Sequence, residues 1–174
     1  MGPEGLDKRG EIRLDHSNAG FSGIGRERSQ EKKDQYFLSL AKIVALHSGD
    51  KNTKVGTVIV NQNAQILAIG FNDLPEGVSD TPERRKRPAK YQWTEHAERN
   101  AIYQAAQRGI PLLGGHLYMN YSPAPCIDCT RAIIQAGITR IILPDTPFPS
   151  SEEWHFAIAL EMIRETGIEL VIIS

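Results

Sequence analysis

The chain has two cysteines, and they stand close together. Cys126 and Cys129 occur in the segment SPAPCIDC, which runs from Ser122 to Cys129. A CxxC pair can serve as a redox disulfide, as half of a structural zinc site, or as two ligands of a zinc site completed from elsewhere in the chain. The choice depends on which other ligating residues can reach the same place.

A second group of candidate residues lies upstream, in the segment TEHAE, which contains His96 and Glu98. Side chains two positions apart on the flank of a helix point in different directions, so both can address one ion only if the helix begins at the metal. Cys126 and Cys129, three positions apart, share one face of a first helical turn, and Pro125 suits the entrance of that helix. The positive ends of the two helices would favour the thiolate forms that a metal requires.

One histidine and two cysteines leave one corner of a tetrahedral zinc site open, which is the catalytic pattern. A structural site would need a fourth ligand, and the chain has no third cysteine to supply it. A redox pair would need a CxxC without metal partners nearby. The sequence therefore predicts a Zn²⁺ site with His96, Cys126 and Cys129 as ligands, and with Glu98 reaching past the ion toward a bound molecule.

The order of the elements predicts how these residues are positioned. Residues 1–29 are rich in glycine and charge and are predicted to be a flexible N-terminal arm, whereas 30–174 are predicted to form one domain. Hydrophobic periodicity over that domain gives the order αββαβαβαβ, with a long polar segment over 72–92 and a helix starting near Thr94.

That order predicts an α/β fold. The first two strands form an antiparallel hairpin, and helical crossovers make the third, fourth and fifth strands parallel. We expect a three-layer α/β/α domain with a mixed five-stranded sheet. Ligands collect at the carboxyl ends of parallel strands in such sheets, and the CxxC directly follows the third strand.

Composition limits the partners. Lys and Arg total 20 against 21 Asp and Glu, so no overall basic field favours nucleic acid, and a small molecule is the expected ligand. No apolar run approaches the roughly 20 residues of a membrane span, and the N-terminus lacks the profile of a signal peptide. We expect a soluble, cytoplasmic protein with no membrane partner.

A basic loop precedes the HAE segment. Its cations are followed by Tyr91 and Trp93, and they comprise Arg84, Arg85, Lys86, Arg87 and Lys90. The loop could be solvated or meet an adjacent subunit, could cap a nucleotide phosphate, or could grip a polynucleotide with its aromatic rings stacking on bases.

The HxE and PCxxC motifs resemble those of the zinc-dependent cytidine and deoxycytidylate deaminase superfamily. The chain is most similar to the deoxycytidylate deaminases, over about Lys32 to Leu143 and in segments such as TKVGTVIV and CTRAIIQAGITRII. The resemblance implies hydrolytic conversion of dCMP to dUMP with release of ammonia. In that reaction zinc lowers the pKa of a water molecule, and Glu98 transfers the protons.

The resemblance also implies substrate contacts by Asn72, by the backbone amide of Ala97 and by Ser122, and assembly into a homo-oligomer, a dimer or a hexamer. Two departures from the family pattern bear on regulation and substrate preference. Asp73 stands where the family has glycine, and the segment before the cysteines is longer. Two alternatives stay open: deamination of another aminated base (a purine, a modified pyrimidine or a base in nucleic acid), and a zinc-stabilised nucleotide-binding module without catalysis.

Overall fold

The computed structural model describes residues 24–121, 124–146 and 155–174. The chain divides into two units, Met1–Lys32 and Lys33–Ser174, and the sheet and the candidate site belong to the second. The arm predicted over 1–29 lies outside the described residues up to position 23. Residues 24–29 are helical, so the first helix starts ahead of Gln30, where the sequence predicts the start of order.

The observed elements follow the predicted order. The helices are α1 (Ile24–Ala45), α2 (Lys90–Trp93), α3 (Ala97–Gln107), α4 (Ile127–Gln135) and α5 (Phe156–Glu165); the strands are β1 (Gly56–Val60), β2 (Ile66–Phe71), β3 (His116–Met119), β4 (Arg140–Pro144) and β5 (Glu169–Ile173). The short helix α2 lies at the end of the polar segment, where no helix is predicted. Within the described parts of the chain, no helix combines the length and apolar character that a membrane crossing requires.

The five strands form one mixed sheet in the order β2-β1-β3-β4-β5. Strand β1 pairs antiparallel with both β2 and β3, whereas β3 with β4 and β4 with β5 are parallel. The predicted hairpin, the parallel strands and the mixed five-stranded sheet are confirmed.

The two faces of the sheet carry separate cores, because successive side chains on a strand point to opposite sides. On one face, α1 packs through Phe37, Leu38, Ala41 and Val44 against Val58, Val60, Tyr118 and Ile142. On the other face, α3, α4 and α5 contribute Ala101, Ala105, Ile133 and Ile163 against Ile59, Leu117, Met119, Ile141 and Leu143. The fold is therefore the predicted three-layer α/β/α arrangement.

Helix α3 lies unusually close to the sheet at Gly70 of β2. A Cβ atom added there would stand 2.4 Å from the carbonyl oxygen of Ala97 and 2.4 Å from the amide nitrogen of Ala101. The small side chains on this helix face and the glycine under them fix the depth at which α3 starts. That start carries two of the candidate site residues.

Candidate functional site

The starts of two helices meet at one edge of the sheet. Gly56 at the beginning of β1 is paired with Phe71 at the end of β2, and its carbonyl oxygen accepts a hydrogen bond of 3.2 Å from the amide of Asn120, just after β3. The carboxyl ends of β2 and β3 therefore lie at the same edge. The segment after β2 leads to α3 and the segment after β3 leads to α4, as the sequence predicts for a site at this edge.

A backbone bridge sets where α3 begins. Asp73, just after β2, pairs with Glu95: the Asp73 amide donates to the Glu95 carbonyl at 3.2 Å, and the Glu95 amide donates to the Asp73 carbonyl at 2.8 Å. The pairing keeps the chain extended up to His96, which is the N-cap residue, and helix α3 starts at Ala97. The helix therefore starts three residues later than the start predicted near Thr94. The difference is due to the bridge at Glu95, which hydrophobic periodicity does not reveal.

His96, Cys126 and Cys129 converge between the two helix starts. The Nδ1 atom of His96 lies 3.4 Å from Sγ of Cys126 and 3.5 Å from Sγ of Cys129, and the three ligand atoms all lie within 4.8 Å of one another. Cys126 is the N-cap residue of α4 and Cys129 lies in its first turn. In the described residues these three form the one cluster of metal-ligating side chains that was found.

The geometry and chemistry of this cluster fit a tetrahedral divalent cation. Ligands at about 2.3 Å (sulfur) and about 2.0 Å (nitrogen) from one ion stand roughly 3.5 Å apart, which matches the two nitrogen–sulfur distances. A hydrogen bond from Cys129, followed by the influence of His96, lowers the pKa of the Cys126 thiol to about 4, so this sulfur is a thiolate at neutral pH. Burial raises the pKa of the Cys129 thiol, so a cation that binds there displaces its proton.

Glu98 lies beside the cluster in the first turn of α3 and is 4% exposed. Burial is the main influence on its carboxyl group and raises its pKa above the usual value. A buried carboxyl with a raised pKa accepts a proton more readily than a solvated one and can pass that proton on. A glutamate on a solvated helix start would not have this property.

Arg99 and Asp128 connect the two helix starts, and neither was among the predicted site residues. The guanidinium of Arg99, in α3, pairs with Glu95, which precedes that helix. It also stands 3.5 Å from Oδ2 of Asp128, in the first turn of α4. The spacing of Glu95 and Arg99 is not a helical signal, because Glu95 lies before the N-cap residue and outside α3. The second pair joins different elements, so spacing could not indicate it.

A cavity of about 300 Å³ opens on the cluster. His96, Ala97, Glu98 and Cys126 line it, and so does Asn72. The Asn72 side chain holds the neighbouring loop: Oδ1 accepts from the Val55 amide at 2.7 Å, and Nδ2 donates to the Thr53 carbonyl at 2.8 Å. Ser122 lies outside the described residues, so its predicted contact stays a prediction.

Asp73 stabilises the segment that follows β2. Its carboxylate accepts a hydrogen bond of 3.1 Å from the Gly49 amide and pairs with Arg85 at 2.5 Å. Arg85 also binds Asp80 through two hydrogen bonds of 2.8 and 2.9 Å. The aspartate at the position where the resembling family has glycine therefore has a structural role here: it ties one arginine of the basic loop to the sheet edge.

A buried ion pair lines the cavity on the same side. Nζ of Lys90, at the start of α2, lies 2.5 Å from Oδ2 of Asp50, and both side chains are 8% exposed. Oδ1 of Asp50 accepts from the amides of Asn52 and Thr53 at 2.8 and 3.2 Å. Asp50 was not among the predicted site residues, and Lys90 was predicted only as one cation of the basic loop, because a pair forty positions apart leaves no local signal.

Comparison with known proteins identifies the class to which this arrangement belongs. Residues 31–144 match the family described as the cytidine and deoxycytidylate deaminase zinc-binding region. The chain belongs to this family of deaminases, and the predicted resemblance is confirmed.

Individual relatives agree with that assignment. Over 125 residues, covering 68% of each chain, the sequence is 37% identical to human deoxycytidylate deaminase. It is 34% identical over 136 residues to an uncharacterized deaminase from the luxG 3′ region of Aliivibrio fischeri, covering 77% of this chain and 88% of the relative. The crystal structure of dCMP deaminase from the cyanophage S-TIM5 superposes with a TM-score of 0.62 at 25% identity, over 82% of this chain and 98% of that one.

Proposed function

We propose that the chain is a zinc-dependent hydrolytic deaminase that converts dCMP to dUMP and ammonia. The observation that carries this proposal is the cluster of His96, Cys126 and Cys129 beside a buried glutamate, on a cavity large enough for a small molecule. Relatives named for deoxycytidylate deamination support the choice of substrate.

His96 Nδ1 and the two cysteine sulfurs would hold the ion and leave its fourth position open to the cavity. When bound, zinc supplies the Lewis acidity that makes water reactive at neutral pH. The positive ends of α3 and α4 point at the same place, and the backbone amides of the first helical turns favour the two thiolates.

Glu98 is the proton carrier in this proposal. Its carboxylate accepts a proton from the attacking water and delivers it to the ring nitrogen next to the amine-bearing carbon. The same carboxylate then takes the second proton from the oxygen now attached to the ring carbon and passes it to the amine, so that the carbon–nitrogen bond breaks, ammonia leaves and a carbonyl forms. The raised pKa of Glu98 suits both directions of transfer. A binding module without catalysis would have no use for this buried carboxyl.

Three residues would contact the substrate. The backbone amide of Ala97, in the first turn of α3, would donate to the pyrimidine carbonyl. Asn72 lines the cavity and keeps one amide hydrogen beyond its bond to Thr53, with which it would reach the sugar. Ser122 is proposed to contribute from the lip before the cysteines.

The test is an ammonia-release assay on zinc-loaded protein. The substrates are dCMP, deoxycytidine, cytidine, cytosine, adenine and guanine compounds, and a cytosine-containing single-stranded oligonucleotide. Release from dCMP, with dUMP as the product, supports the proposal. Activity on purines or on the oligonucleotide with none on dCMP would replace it with the corresponding alternative.

The assembly and the location belong to the same proposal. The resemblance of the chain to the deoxycytidylate deaminases supports a homo-oligomer, either a dimer or a hexamer. In this proposal the assembly acts in the cytoplasm on a free nucleotide. Light scattering on the zinc-loaded protein measures the number of chains, and a monomer at micromolar concentration would contradict the oligomer.

A further inference from the structure

Three of the five cations in the basic loop are held by neighbouring groups. Arg84 lies over the ring of Trp93, 4.0 Å from its centroid, and donates to the Ser79 carbonyl at 2.6 Å. Arg85 is bound by Asp73 and Asp80 as described above. Lys90 is neutralised by Asp50. These contacts hold the loop in place: carboxylates balance the charges of Arg85 and Lys90, and Arg84 does not line the cavity that contains His96 and Glu98.

The two remaining cations, Lys86 and Arg87, face different spaces. Arg87 lines the cavity that contains His96 and Glu98, whereas Lys86 lines a neighbouring depression that contains neither of these two residues. In residues 24–121, 124–146 and 155–174, neither has an acidic group within ion-pair distance. Arg87 stands 5.7 Å from the ring centroid of Tyr91, another cavity residue, which supports its guanidinium from one side.

Among the described charged side chains that line the cavity, one cation has no acidic side chain to neutralise it. The described acidic side chains of the cavity are Asp50 and Glu98, and its described basic ones are Lys90 and Arg87, apart from the metal-ligating histidine. Asp50 and Lys90 neutralise each other, and Glu98 faces the metal cluster. Arg87 is therefore the cation that a ligand in this cavity would meet.

We propose that Arg87 binds the 5′-phosphate of the substrate and thereby selects a mononucleotide over a nucleoside. This inference rests on the proposed deaminase function and adds the residue that recognises the phosphate. A guanidinium makes two parallel charge-assisted hydrogen bonds to a phosphate, which an ammonium or a neutral amide cannot reproduce.

The surroundings of Arg87 favour a single nucleotide over a polynucleotide. A cavity of about 300 Å³ is at the small end of the range for ligand sites. A polynucleotide surface would also present aromatic faces for base stacking. Trp93 cannot offer the face on which Arg84 lies, and two of the loop cations, Arg85 and Lys90, are already paired with carboxylates.

The experiment compares Arg87→Gln with the matched control Lys86→Gln, which removes a neighbouring charge that does not face the cavity. For each zinc-loaded protein, kcat/KM is measured for dCMP and for deoxycytidine, and the dissociation constants of dUMP and deoxyuridine are measured by calorimetry. For Arg87→Gln we expect roughly a 10- to 100-fold loss of kcat/KM on dCMP and a matching loss of dUMP affinity. The values for deoxycytidine and deoxyuridine should change less than about twofold, and Arg87→Lys should recover part of the loss.

Several results would overturn the inference. It fails if Lys86→Gln lowers dCMP activity as much as Arg87→Gln, or if Arg87→Gln lowers both substrates equally, because Arg87 would then act on the loop and not on the phosphate. A wild-type protein that deaminates deoxycytidine as well as dCMP would refute phosphate selection and leave the deaminase function standing. Loss of oligonucleotide deamination alone in Arg87→Gln would assign the residue to a polynucleotide. If the wild-type protein deaminates neither dCMP nor deoxycytidine, the proposed function itself fails and the inference falls with it.

Discussion

Replacing Asp50 by Asn isolates the ion pair that holds the basic loop against the cavity. The amide has nearly the shape of the carboxylate, and its oxygen can still accept hydrogen bonds from the amides of Asn52 and Thr53. What is lost is the negative charge 2.5 Å from the ammonium of Lys90. The substitution therefore leaves a buried cation without its counter-charge.

Removing one partner of a buried pair costs about 3–5 kcal/mol. Both side chains are only 8% exposed, but they border a cavity that water enters, so we expect the lower end, about 3 kcal/mol. With urea slopes of about 1–3 kcal/mol/M, this lowers the unfolding midpoint by roughly 1–3 M. The assay is urea unfolding at fixed zinc and protein concentration, since bound metal and association both add apparent stability.

The control is a double-mutant cycle that combines Asp50→Asn with Lys90→Met. The double variant Asp50→Asn, Lys90→Met has no buried charge at either position, so it should be more stable than the single variant Asp50→Asn. A single variant within about 0.5 kcal/mol of the wild type would refute the account, as would strict additivity in the cycle, because either result means that the pair makes no net contribution.

Acidity provides a second check on the same pair. Burial tends to raise the pKa of Asp50, but the hydrogen bonds from Lys90 and from the Asn52 and Thr53 amides outweigh it, so the folded-state pKa lies below the usual value. A carboxyl with a lowered folded pKa stabilises the protein above its unfolded pKa of about 4, and this stabilisation is lost as the pH falls through the folded value. The stability difference between the wild type and Asp50→Asn should therefore shrink below about pH 4. A constant difference down to pH 3 would contradict the sign.

Three further predictions concern the chemistry and the core. Glu98→Gln should lower kcat by at least about 100-fold while mass spectrometry still finds about one zinc per chain; retained turnover would assign proton transfer to another group. Gly70→Ala should cost about 1–3 kcal/mol of unfolding free energy and lower activity, because the new methyl group meets the Ala97 carbonyl at 2.4 Å and must push α3 outward; an equally stable variant would contradict that packing. Tyr118→Phe removes a 2.7 Å hydrogen bond to buried Asp34 on the far face of the sheet, so it should cost about 1 kcal/mol in urea unfolding and leave kcat unchanged.

The sheet could be predicted from the sequence because its elements are set by local pattern. Val58 and Ile59 point to opposite cores, so both faces of the strand are buried and it is written as a continuous apolar, β-branched run that is readable in the sequence. The metal cluster was readable for a related reason: His96 stands at a helix start, and Cys126 and Cys129 share a helical turn. In each case the local pattern occupies a short stretch of sequence, although His96 contacts Cys126 across thirty positions.

The wall of the cavity could not be predicted in the same way. Its shape depends on pairs that join distant positions, such as Asp50 with Lys90 and Asp73 with Glu95. The sequence pattern showed that the loop was basic, but not which of its cations pair with carboxylates in the folded chain. That distinction, which leaves Arg87 to face a ligand, exists only after the chain has folded.

The metal cluster and the cavity wall therefore have different physical origins. The cluster depends on apolar packing of α3 and α4 against the sheet, where Gly70 and Ala101 allow close approach. The wall depends on polar pairs that tie the segment between β2 and α3 to the loop after α1. Because these two sets of contacts share few residues, a change such as Asp50→Asn should alter dCMP binding and stability while the zinc content stays the same. Loss of zinc in that variant would mean that the wall and the cluster are coupled more tightly than their separate contacts imply.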